Sequence, residues 1–194
     1  MPWYVRRMGI DPIHVIDAAA PTLALGYATG RLGCQFSGDG DWGIDNLAAK
    51  PDWFIFPDWA WAFDYPRNVL GRGVPIEDCI GIFCNRLENP VYPTPIWEAT
   101  ISILILIVLW SIRKKIKVAG MLFFIYLILN GIARFFIEGI RINERYDVAG
   151  YQLSLSQFIG VGFIIAGILG VVYLRKKGRT IQSYIEENAT SSSA

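Results

Sequence analysis

The chain has 194 residues, of which 53% are hydrophobic and 14% aromatic, and its formal net charge is +1. A near-neutral balance lacks the electrostatic footprint of a nucleic-acid-binding protein. The apolar residues come in long blocks, which excludes an ordinary water-soluble domain, because about 20 consecutive apolar residues match the thickness of a bilayer core.

Residues 1–14 read as the end of a cytoplasmic connection carrying Arg6 and Arg7. No apolar run precedes a small-residue cleavage site, so no cleavable signal peptide is expected. The abrupt Met1-Pro2-Trp3-Tyr4 start predicts instead that earlier helices are absent. Residues 15–32 form a first span, rich in Gly and Ala and interrupted by Asp17, Pro21 and Arg31. From 33 to 45 the density of Gly and Asp favours a tight, irregular backbone. Trp53, Trp59, Trp61, Phe63 and Tyr65 then make an aromatic cluster suited to a membrane–water interface, although a sugar or peptide site has the same composition. Cys79 and Cys84 are either bridged across a short turn or two free thiols, and Cys34 stands apart.

Pro90, Pro93 and Pro95 hold off the next helix until residue 96. Residues 96–112 and 119–137 are spans joined by the short basic stretch Arg113-Lys114-Lys115-Ile116-Lys117, which makes them antiparallel neighbours. A second loop at 139–154 leads to the last span, 155–174, followed by Arg175, Lys176, Lys177 and Arg179. Placing the three basic groups in the cytoplasm by the positive-inside rule puts the loops 33–95 and 139–153 outside without contradiction. The fold expected is all-α: a polytopic membrane helical bundle of about four transmembrane helices with a long external loop. It forms one membrane domain over 1–179, with 180–194 a frayed cytoplasmic tail.

Ionisable residues within spans are costly and mark function. Asp17 and Arg31 share a helix face, with Arg31 at the external end. Arg134, Glu138 and Arg141 lie on one stripe, spaced by four and three residues, at the same depth as Arg31. Guanidinium forks pair with two phosphate oxygens and stay charged when partly desolvated, so this layer suits a phosphate. An ion-pair network that only orders the bundle, or arginines snorkelling to ordinary headgroups, would give the same pattern. The Gly38-Asp39-Gly40-Asp41-Trp42-Gly43 run weighs toward a site, since glycines let backbone approach a ligand.

Three ordered blocks carry a resemblance. They are Asp17 … Pro21 … Gly30-Arg31-Leu32-Gly33-Cys34 … Gly38-Asp39 … Gly43, then Tyr92-Pro93-Thr94-Pro95-Ile96-Trp97-Glu98, then Asn130-Gly131 … Arg134-Phe135-Phe136-Ile137-Glu138-Gly139-Ile140-Arg141. Together they resemble the prolipoprotein diacylglyceryl transferase family. The resemblance implies an enzyme that transfers the diacylglyceryl group of phosphatidylglycerol to the lipobox cysteine of a prolipoprotein signal peptide, forming a thioether and releasing glycerol phosphate. It implies no cofactor and no metal. It places the protein in the bacterial plasma (inner) membrane with the active site toward the periplasmic, outer-leaflet side. Arg31, Arg134 and Glu138 take the catalytic positions, and Arg31, Asp17, Asp39, Gly43 and Arg141 the substrate-binding ones. The rival readings are a non-catalytic phospholipid-binding membrane protein and a small transporter.

The chain departs from the family pattern at Cys34, where Asn is usual, at Asp39 in place of Glu, at Tyr92 in place of His and at Asn130 in place of Tyr, with one extra residue before Gly43. Its single histidine, His14, lies outside the family's His-Gly-Gly segment. Little or no turnover is therefore expected from this chain alone.

Overall fold

The computed structural model describes residues 12–142, 145–148 and 151–177, together with Trp3 and Arg7. Helices α1 (Pro12–Ser37), α2 (Thr94–Ile112), α3 (Met121–Glu138) and α4 (Leu155–Lys177) run up and down through the bundle. Ends that follow one another in the chain thus alternate between its two faces. The tail expected at 180–194 and the basic pair Arg6 and Arg7, apart from Arg7 itself, lie outside the described residues.

Alanines at every fourth position dictate how α1 packs. Ala20, Ala24 and Ala28 are fully buried on one face, where small side chains let a neighbouring backbone come close. Ser102 of α2 uses that proximity, donating its hydroxyl to the Ala24 carbonyl at 2.8 Å. Ile105 and Leu109 of α2 and Leu122 of α3 complete this core. Helix α1 extends beyond the expected end at Leu32 because Gly33 and Cys34 continue the turn; it stops at Gly38, which takes φ +61° and donates its N–H to the Cys34 carbonyl. Pro95 falls within the first turn of α2, where a missing N–H costs nothing.

By length and composition α2, α3 and α4 can each cross a membrane. The fourth long helix of the expected bundle, α1, has 26 residues, and Asp17, Arg31 and a run of small residues dilute its apolar content relative to the other three.

Helices α3 and α4 meet along a glycine seam. A Cβ placed on Gly131 would stand 2.6 Å from the Gly160 carbonyl oxygen, one on Gly167 2.8 Å from the Phe124 carbonyl oxygen, and one on Gly170 2.2 Å from the Phe124 ring. Lipid tails are as apolar as Leu, so such close backbone packing, rather than hydrophobic burial, drives helices together in a bilayer.

Residues 38–93 form an ordered cap over one end of the bundle, with almost no regular structure of their own. Trp42, Tyr65 and Val91 are buried at its centre, flanked by Phe63 and Leu87. Two buried asparagines replace a hydrogen-bonded sheet. Asn68 donates to the carbonyls of Tyr65, Arg72 and Asn85 and accepts from the Arg72 N–H at 2.9 Å; Asn46 donates to the Trp61 carbonyl at 2.7 Å. Burial, with Asp39 nearby, pushes the Tyr65 phenol above its usual range. It therefore stays protonated and donates to Gln35 Oε1 at 2.8 Å.

Strands β1 (Val74–Pro75) and β2 (Asn85–Arg86) pair antiparallel below a tip closed by a Cys79–Cys84 disulfide. That settles the open alternative for these cysteines and leaves Cys34 free. The loop after α3 holds a second hairpin, β3 (Arg145–Val148) and β4 (Tyr151–Ser154), that apolar periodicity did not announce.

The seam yields a direct test. Gly167→Val should lower stability by about 1–3 kcal/mol, the usual cost of overpacking, seen as a reduced Tm in detergent. Gly162→Ala, which meets nothing within 4 Å, should melt with the native protein.

Candidate active site

Three helices and the cap converge on one group of charges. Tyr27 and Arg31 are one turn apart on α1, Glu98 sits just inside α2, Glu138 ends α3, and Arg141 follows it. Asp41 enters from the cap, fixed by the Thr94 hydroxyl donating to its carbonyl at 2.7 Å. Gly43 closes the junction: its N–H donates to the Tyr92 carbonyl at 2.8 Å, and its backbone bridges to Arg141. A Cβ there would collide with the Ile140 carbonyl oxygen and Tyr92 at 2.8 Å. Only glycine fits between the two chain segments.

Glu98 is the hub. Its side chain is 5% exposed, with Arg31 Nε 2.9 Å from Oε2 and Arg141 Nη1 4.0 Å from Oε1. Tyr27 donates its hydroxyl to Oε1 at 3.0 Å. The Arg31 Nε–H is not aimed at Oε2 despite the short distance. Oε2 therefore lacks a hydrogen-bond donor, as Arg141 Nε lacks an acceptor, among the described residues. Asp41 spans the two arginines, one carboxylate oxygen paired with Arg31 and the other with Arg141. Glu138 Oε2 is 3.9 Å from Arg141 Nη1. The Arg31 guanidinium also lies 5.0 Å from the centre of the Tyr27 ring, a favourable cation–π arrangement.

Arg134 differs from the other two arginines. It is half-buried, one turn from Glu138, and makes no ion pair among the described residues. It lines a cavity of about 20 Å³ with Tyr27, Glu98, Ser102 and Asn130, room for roughly one water molecule. The six side chains Arg31, Arg134, Arg141, Asp41, Glu98 and Glu138 carry three formal charges of each sign. The cluster is thus balanced internally, with Arg134 as the cation that lines the small cavity.

The expected site residues are placed unevenly. Arg31, Arg134, Glu138 and Arg141 are brought together, and Gly43 builds the junction beside them. Asp17 is not with them. It sits fourteen residues before Arg31, about 21 Å along the helix at 1.5 Å per residue. Its carboxylate accepts the N–H groups of Gly120 at 2.6 Å and Phe123 at 3.0 Å, so it caps the start of α3 in place of a local cap residue. Asp39 is exposed and accepts the Asp41 N–H at 3.3 Å, shaping the turn rather than touching an arginine. Cys34, Asp39 and Asp41 bring potential metal-ligand atoms within 4.8 Å of one another, but two guanidiniums already occupy the Asp41 carboxylate and compete with any cation.

Tyr27, Asp41 and Glu98 were missed as site residues. Glu98 had a signal, since a carboxylate at the start of an apolar helix demands a partner. Asp41 had none that distinguished it from Asp39.

Removing a buried counter-charge leaves its partners unpaired, at a cost of about 3–5 kcal/mol. Glu98→Ala should therefore lower the Tm in detergent markedly. Glu98→Gln, which keeps an acceptor for Tyr27, should lose less; equal melting of Glu98→Ala and the native chain would show that the cluster is not held by this carboxylate.

A family model described as prolipoprotein diacylglyceryl transferase matches residues 1–173. The chain is 26% identical over 183 residues to a phosphatidylglycerol–prolipoprotein diacylglyceryl transferase of Lysinibacillus sphaericus strain C3-41, covering 94% of this chain and 59% of that protein. It is 29% identical over 184 residues to the protein of the same name from Bacillus cereus strain B4264, and 28% identical over 184 residues to that of Bacillus mycoides strain KBAB4, again with 94% and 59% coverage. The chain thus spans 59% of the length of these curated relatives. A match across most of the chain, over the same blocks that build the charged cluster, shows that it belongs to the prolipoprotein diacylglyceryl transferase family.

Proposed function

We propose that the chain carries the phosphate-binding part of an enzyme that moves the diacylglyceryl group of phosphatidylglycerol onto the lipobox cysteine of a prolipoprotein signal peptide. The observation that carries this reading is the meeting of Arg31, Arg134 and Arg141 at one end of the helices around Glu98. In the reaction a thiolate sulfur bonds to the glycerol carbon that bears the phosphate ester. The carbon–oxygen bond breaks, and glycerol phosphate departs with the electron pair. Cations fixed beforehand where that charge collects lower the barrier without reorganising. Arg134 meets the phosphate first, because the other two arginines are held by Asp41. The acceptor thiol has an ordinary pKa of about 8.5 and must lose its proton; this reading assigns the proton to Glu138, one turn from Arg134. Gly43 places Arg141, Asp39 shapes the turn that presents Asp41, and Asp17 holds α1 to α3.

The same reading puts the cluster on the outer-leaflet side of a bacterial plasma membrane. Arg113 to Lys117 and Arg175 to Lys177 lie at the opposite end of the helices, where the positive-inside rule places the cytoplasm. A disulfide in the cap fits an oxidising compartment.

Glycerol phosphate release from phosphatidylglycerol with a lipobox peptide tests the assignment. In the full-length enzyme that carries this chain, Arg31→Ala and Arg134→Ala should each reduce release at least a hundredfold, the scale on which single oxyanion-type donors act (roughly 10²–10³); native rates in either variant would overturn it. Asp41 gives an independent check. As the internal anion on Arg31 and Arg141, it competes with phosphate, so Asp41→Asn should tighten phosphatidylglycerol binding roughly fivefold, equivalent to about 1 kcal/mol. Weaker binding would mean that Asp41 serves the ligand rather than opposing it.

A further inference from the structure

The opposite end of the bundle holds a larger cleft that the transfer reaction does not use. About 410 Å³ opens between the first turns of α1, the last turn of α2 and the start of α3. Its floor is apolar, with Pro21 and Leu122. Its mouth is cationic: the Arg113 guanidinium stacks 3.5 Å over the centre of the Trp110 ring, and Lys114 stands next to it. His14 and Asp17 also line it. Asp17 is committed to the amides of Gly120 and Phe123, so its charge is partly satisfied where it stands.

We infer that this cleft binds the phosphodiester headgroup of an anionic phospholipid in the leaflet opposite the Arg31 cluster. Three features point to that ligand. Arg113 and Lys114 at the end of a membrane-crossing helix sit at headgroup depth, where Trp rings also settle. Contact with the Trp110 ring holds the Arg113 guanidinium at the cleft mouth, and no carboxylate among the described residues pairs with it, so its fork is available to phosphate oxygens. An apolar floor directly below the cations accepts a glycerol backbone and the start of an acyl chain, which a soluble anion does not need. Two cations against Asp17 leave one net positive charge, matching a phosphodiester monoanion better than a zwitterionic headgroup. The site is independent of the transferase reading, since none of its residues belongs to the charged cluster.

Protection of Lys114 from amine acetylation, read residue by residue by mass spectrometry on the full chain in neutral detergent, tests it locally. Dihexanoyl phosphatidylglycerol should slow acetylation of Lys114 at least fivefold while leaving the exposed Lys115 and Lys117 nearly unchanged. Dihexanoyl phosphatidylcholine and inorganic phosphate should protect far less. Arg113→Gln should abolish the protection and Arg113→Lys should restore part of it. Equal protection of all three lysines would reduce the effect to diffuse surface charge, and full protection in Arg113→Gln would remove the site; either overturns the inference. Equal protection by inorganic phosphate would assign the cleft to a free anion, and equal protection by the choline lipid would remove the charge selectivity; each of these overturns the lipid assignment.

Discussion

A carboxylate buried at the start of an apolar helix imposes a constraint that the surrounding structure has to meet. Glu98 leaves water almost completely, and an ionised carboxylate in such surroundings is tolerated only with counter-charges and hydrogen bonds in place. One counter-charge comes from α1 (Arg31), one from beyond the end of α3 (Arg141), and a neutral donor from α1 (Tyr27). Three separate pieces of chain must therefore be in register before the charge is satisfied. The alanine face of α1 and the Ser102 hydrogen bond set that register from below, and the Gly43 junction sets it from above. The same requirement explains why so irregular a cap is ordered, since Asp41 balances the second half of each guanidinium from within it.

The cluster separates two roles that arginines play in one place. Arg31 and Arg141 are each paired with Asp41 and lie beside Glu98, which fixes their positions and lowers their appetite for an outside anion. Arg134 is positioned by helical spacing alone and faces a cavity. A site built this way holds its shape without ligand yet keeps one cation ready. Among the described residues, the two buried side-chain atoms without hydrogen-bond partners, Glu98 Oε2 and Arg141 Nε, lie in the same group. Unsatisfied buried polar atoms are costly wherever folding alone is the criterion, and they gather where a structure serves chemistry.

The helices were legible because bilayer thickness imposes a block length on the apolar residues, and α2, α3 and α4 follow their apolar blocks closely. Helix α1 runs on into the stretch whose Gly and Asp density predicts an irregular backbone, because the chain turns left-handed only at Gly38. Arg134 and Glu138 were legible from helical spacing, whereas Arg141 reaches the cluster from past the end of α3, bridged to Gly43, and not from the same helical stripe. The choice between Asp39 and Asp41 was not legible, because two residues in a Gly-rich turn differ only in which way the chain points. The joint face assigned to Asp17 and Arg31 was real but spanned the whole helix, so each serves a different end. The cap was opaque for a related reason. Asn46 and Asn68 organise it through contacts to residues up to 17 positions away, and neither forms a periodic pattern.

The glycine seam between α3 and α4 also decides how a lipid approaches. Backbone atoms there sit so near one another that a single added carbon finds no room at Gly131, Gly167 or Gly170. A fissure too narrow for one methyl group is a wall to an acyl tail. If Arg134 takes a lipid phosphate as proposed, the lipid comes round the flank of α3 that faces α1 and α2, the side on which the small cavity lies.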